Sequence, residues 1–174
     1  MKQILLAILL FSLINVHAQT NWEKITLSGK VSISFPSKPN ETLGTGVKSY
    51  VLVLADSTAN FICVENDLQV TAGLDEASLD AAMENEESWE QAKSGIMNSM
   101  GKDASLVNEE RLVFKERQAL KLVVNRKTPK GETNILSVLI FTKGSKSYNI
   151  IFNSRAGKAD EKMKEQFFNS IEIN

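Results

Sequence analysis

Few residues in this chain have the types and spacing that chemistry requires. His17 is the only histidine and Cys63 the only cysteine. Ser-His-Asp or Cys-His catalysis, zinc held by imidazole and a histidine pH switch would all depend on His17. That residue sits in Val16-His17-Ala18, after an apolar run from Ile4 to Ile14 broken only by Ser12 and preceded by Met1-Lys2-Gln3. A positive start, a short apolar core and small residues at a cleavage point make a secretory signal peptide, with cleavage expected after Ala18. The run is shorter than the ~20 residues a bilayer-spanning helix needs. No cysteine follows the cleavage point, so a lipid anchor is not expected. Residues 1–18 are read as a removed leader and 19–174 as one domain, exported to the periplasm or beyond and left without a histidine. Cys63, between Phe61-Ile62 and Val64, is expected to be a buried small hydrophobe, because a reactive thiol needs exposure and a nearby positive charge.

The remaining candidates are weaker. Glu84, Glu86, Glu87 and Glu90 place oxygen ligands close together, but the dense Asp/Asn/Gly loop of a calcium site is missing and a solvated helix face is the simpler reading. Gly44-Thr45-Gly46 is half of a phosphate loop, without the following Lys-Ser/Thr and without a helix to supply N–H groups. Asn40-Glu41-Thr42 matches a glycosylation sequon, relevant only in a eukaryotic secretory pathway. A histidine-free hydrolase would need a carboxylate pair or a Ser-Lys dyad, and no spacing selects one. No catalytic, metal or cofactor residue is therefore assigned, and the chain is expected not to be an enzyme.

Charge is more informative. The 174-residue chain has 20 Lys+Arg and 21 Asp+Glu, a net charge of −1, which argues against nucleic-acid binding through overall charge. The small total hides two halves: residues 19–110 carry 6 basic and 15 acidic side chains, residues 111–174 carry 13 and 6. Such asymmetry can mark an interaction surface. Lys121, Arg126, Lys127, Lys130, Lys143 and Lys146 fall on or beside adjacent predicted hairpins, where they could form a basic edge for an acidic partner. The alternative is that acidic and basic parts simply neighbour each other in the fold.

The elements that position these residues are read from periodicity. Val31-Ser32-Ile33-Ser34-Phe35 alternates strictly, as a half-buried strand does. Further strands are predicted at 22–27, 50–55 and 60–65, with Gly44 and Gly46 in a loop before the second of these. A helical segment is predicted over about 75–100, with an apolar stripe of Leu79, Ala82, Met83, Trp89, Ile96, Met97 and Met100. The stripe breaks near 85–88, and Ser88 with Gln91 reads as a capping box for a second helix. Strands are then predicted at 106–114, 118–125, 134–142 and 147–153, followed by a helix over 159–170 and a short strand at 171–173. Tyr50–Leu54 and Ile135–Phe141 are apolar on both faces and so need cover on both sides.

Trp22, the stretch Val31-Ser32-Ile33-Ser34-Phe35-Pro36 with Pro39, Glu116-Arg117-Gln118-Ala119, Tyr148–Phe152 and Phe167-Phe168-Asn169-Ser170-Ile171 together resemble the PsbP/Mog1-like domains. At Glu116–Ala119 relatives often carry a glycine. The resemblance implies an α+β fold, a central antiparallel sheet flanked by helices as an α/β/α sandwich. It also implies a binding or assembly role in the cell envelope, with an unknown protein or envelope partner, rather than catalysis. The alternative is a small apolar-ligand carrier whose pocket is lined by Met83, Trp89, Met97 and Met100.

Overall fold

The computed structural model describes residues 22–174. The expected leader over residues 1–18, His17 included, lies outside them. Alternation in the sequence becomes a seven-stranded antiparallel sheet of order β3-β4-β5-β9-β8-β7-β6 and a three-stranded one of order β1-β2-β10. The large sheet comprises β3 (Asn40–Gly44), β4 (Val47–Val53), β5 (Ala59–Asp67), β6 (Ala104–Phe114), β7 (Arg117–Lys127), β8 (Thr133–Lys143) and β9 (Lys146–Arg155). The small one joins β1 (Glu23–Thr26), β2 (Val31–Phe35) and β10 (Glu172–Ile173). The helices are α1 (Leu68–Ala72), α2 (Glu76–Met83), α3 (Glu86–Met100) and α4 (Glu161–Asn169).

β8 shows why the large sheet needs two layers of cover. Leu139 and Phe141 belong to one core, with Phe61, Phe152 and Tyr148, closed by β2 and by Phe167 of α4. Leu136, Val138 and Ile140 belong to the other, with Leu120, Leu122, Val124 and Trp89 of α3. Successive side chains of a strand point to opposite faces, so a continuous apolar run buries both. β8 is buried from Leu136 to Thr142, as its sequence requires. β4 differs: Val51 is half-buried and Val53 is 53% exposed, because α3 covers β6–β9 and stops short of the β3–β4 edge. The cover on the Phe167 side is built by the small sheet as well as by α4, so one outer layer is mixed rather than helical.

The helical segment breaks where expected, but Asn85 is the cap. Its side chain accepts from the Glu87 N–H at 2.9 Å, so Ser88 falls inside the first turn of α3. Asp75 caps α2 and Asp160 caps α4, which starts α4 two residues later than predicted and leaves Ala159 outside it. Asn40–Gly44 is a strand rather than a loop, fully exposed at the sheet edge and paired to β4 from Asn40↔Val51 to Gly44↔Val47. The short helix α1 was not predicted. It lies against the β3–β4 turn, where Gly46 has φ +70° and a Cβ would stand 2.8 Å from the Thr71 methyl.

Candidate functional site

α3 is hung from one edge of the sheet. Trp89 is 3% exposed, and its indole N–H donates to the Met83 carbonyl at 2.8 Å, tying α3 to the end of α2. From β6, the Arg111 guanidinium lies 5.9 Å over the Trp89 ring and bonds both carboxylate oxygens of Glu86. Glu109 of the same strand bonds Lys93 at 2.9 Å, and Glu90 and Glu109 together hold the Lys93 ammonium pKa above its usual value. These contacts fix the β6 side of the helix.

The opposite side overhangs the sheet. Ala92, Gly95, Ile96 and Ser99 recur at helical spacing on one face and roof a cleft of about 520 Å³. Its floor is Val64, Ile140 and Ile151, one from each of β5, β8 and β9, with Leu68 of α1 at one side. Thr142, Ser147 and Asn149 add polar groups along the floor. Gly95 keeps the roof thin: a Cβ built there meets no atom within 4 Å. An apolar cleft of this size with a few polar groups is the usual form of a small-molecule site.

Met83 and Trp89 line this cleft as the carrier reading expects. Met97 and Met100 do not; they pack against the Leu120–Ile140 core instead. Ala92, Gly95 and Ser99 were not anticipated, because small residues leave no periodic signal until a second surface faces them.

The six basic residues do not share one surface. Arg126 and Lys127 end β7, and Lys130 lies in the following turn. Lys143 and Lys146 face each other across the turn at the other end of β8, about 30 Å away at strand rise. Lys121 lies mid-strand, 4.0 Å from Glu110. Lys146 is committed to the fold: its ammonium is 2.6 Å from Asp67 and 3.8 Å from the buried Glu65. The two charge halves compensate each other, through Lys24–Glu172, Arg111–Glu86, Lys121–Glu110 and the Lys146 pairs.

Cys63 is fully buried on β5, and burial first, then the Glu65 charge, pushes its thiol well above the usual range. Glu65 itself accepts from the Ser28 N–H at 2.9 Å, and Tyr148 donates to the Ser28 carbonyl at 2.6 Å. This buried polar group anchors the β1–β2 turn, where Gly29 has φ +67° and a Cβ would sit 2.8 Å from the Tyr148 hydroxyl. Among the described residues no three of His, Cys, Asp and Glu are grouped to hold a metal ion. Within the acidic run, Glu86 and Glu90 pair with Arg111 and Lys93.

The fold defined by this sheet and its covers is PsbP-like. The solution structure of cyanobacterial PsbP (CyanoP) from Synechocystis is similar to it with a TM-score of 0.56 at 11% identity, over 87% of this chain and 92% of that one. A crystal structure from Bacteroides thetaiotaomicron is similar with a TM-score of 0.50 at 18% identity, over 88% of this chain. The match spans only 48% of the Bacteroides chain, about half its length. No protein-family model matches the chain, and no curated protein matches it. Among the described residues no helix is long and apolar enough to cross a membrane.

Proposed function

We propose that the chain is an exported, non-enzymatic binding module that holds a small apolar ligand in the cleft between α3 and the sheet. The observation that carries this reading is the 520 Å³ apolar space under Ala92, Gly95, Ile96 and Ser99. Buried apolar surface drives the association, at about 25 cal/mol per Å² removed from water. The hydroxyls of Thr142 and Ser147 and the Asn149 amide would orient a ligand with one polar end. Export rests on the leader sequence, and the absence of catalysis rests on a domain without histidine and without a selected nucleophile. The cleft favours a carrier over an assembly factor that works through its outer surface. Mass spectrometry of an organic extract of the purified protein tests the reading. A co-purifying apolar small molecule in stoichiometric amount is expected, and its loss on Gly95→Phe would place it in the cleft. A clean extract from protein isolated from its native host counts against the proposal.

A further inference from the structure

Among the described residues two buried side-chain oxygens have no hydrogen-bond partner, Thr128 Oγ1 and Asn153 Oδ1. Both residues belong to the wall of the same cavity, about 300 Å³, distinct from the α3 cleft. It lies at the end of the large sheet, where the β4–β5 turn, the β7–β8 turn and the end of β9 meet. Leaving a buried polar atom without a partner destabilises a fold, and it is informative that both occur at one place. Asn153 is only 8% exposed, on a strand otherwise rich in apolar residues, opposite Asn60 of β5 and Leu136 of β8. An apolar residue there would spare the fold that cost, so the polar group calls for a role beyond packing.

We infer that this cavity binds a neutral, hydroxylated ligand about the size of one sugar ring. The wall supplies matching chemistry. Thr58, Asn60, Asn134 and Ser154 add uncharged donors and acceptors beside Thr128 and Asn153. A ligand hydroxyl both donates and accepts, and a half-turn of the Asn153 amide exchanges its oxygen and nitrogen without changing its shape. Pro129 offers an apolar surface for the C–H face of a ring. Other classes fit less well. A carboxylate only accepts and an ammonium only donates, so neither matches the wall's mixed donors and acceptors as a hydroxyl does, and an ammonium is also opposed by Lys130 on the wall. Glu132 cannot offset that charge, because it is paired with Arg155 at 3.3 Å.

The test is titration of the full-length mature protein with glucose, galactose and N-acetylglucosamine, followed by calorimetry and by NMR shift mapping. Saturable binding of at least one sugar is expected, with backbone shifts confined to the cavity wall at 57–60, 128–134 and 153–155. Thr128→Val and Asn153→Leu, which keep volume and remove the polar atoms, should each weaken binding about tenfold, the worth of roughly one hydrogen bond. Circular dichroism of both variants verifies folding, and the shift map on the unaltered protein decides the matter if either fails to fold. The inference is overturned if none of the three sugars binds saturably or if the shifts lie elsewhere. Unchanged affinity in both folded variants overturns it as well, and the orphaned oxygens are then hydrated by water alone.

Discussion

Replacing Gly95 by alanine is expected to raise stability by about 1 kcal/mol. The magnitude comes from position and surroundings. Gly95 lies inside α3, where an exposed or open-space glycine costs that much relative to alanine through backbone entropy. The added Cβ meets no atom within 4 Å, so no steric term opposes the gain and no packing term inflates it. For a domain of this size 1 kcal/mol shifts the melting temperature by about 2–4 °C. In urea the midpoint should rise by about 0.5 M if the slope is near 2 kcal/mol/M, with that slope unchanged. Thermal melts and urea titrations of the two proteins side by side give both numbers. A drop in stability would refute the reasoning, because it would mean that the methyl group meets the sheet and that the cleft is closed.

Other outcomes follow from the same contacts. Glu116→Gly should stabilise by about 1 kcal/mol in chemical denaturation, since Lys115 and Glu116 occupy the two-residue β6–β7 turn at φ 48° and 65°; Lys115 is best left in place because its ammonium bonds the Ile171 carbonyl. Trp89→Ala removes the anchor of α3 and should cost about 3–5 kcal/mol, with hydrogen exchange fastest in α3 while β8 and β9 stay protected. The native protein should resist thiol reagents at Cys63 and react only on unfolding; rapid labelling of the folded state would contradict its burial. Asp67, held below the usual carboxylate range first by its hydrogen bond to Lys146, and Glu172, held down by Lys24, add stability that is present above pH ~4. That stability is lost as the pH falls through their lowered folded values. Melting temperatures across acid pH should show the decline, and Asp67→Asn should flatten it.

The sequence carried the sheet further than the site. Ile135–Phe141 announced a strand covered on both faces because every side chain in it except Ser137 is apolar, and β8 is built so. Val31–Phe35 alternated and became β2. Tyr50–Leu54 was equally apolar, yet Val53 is exposed: pattern tells which faces can be buried, and the reach of α3 decides which are. Asn40–Gly44 reads as loop from its polar residues and glycine, and becomes a strand because β4 offers it five partners. Asn85 rather than Ser88 caps α3, a choice between neighbouring residues that local chemistry alone leaves open. The cleft needed the fold. Its small roof residues have no periodic signal, and Met97 and Met100, which did have one, are turned into the core. The six basic residues sat close in sequence along hairpins, but strand length separates the two ends of β8 and places Lys146 in the fold's own ion pairs. Thr128 and Asn153, far apart in the chain, meet only because β7, β8 and β9 lie side by side.

The most direct test of the central claim is a titration of the folded protein with cis-parinaric acid, whose fluorescence rises in an apolar site. It should be run for the unaltered chain, Gly95→Ala and Gly95→Phe. Saturable one-to-one binding that survives the alanine and is lost with the phenylalanine is the predicted result. Absence of binding to the unaltered chain, or equal binding to a stably folded Gly95→Phe, would contradict a ligand site beneath α3.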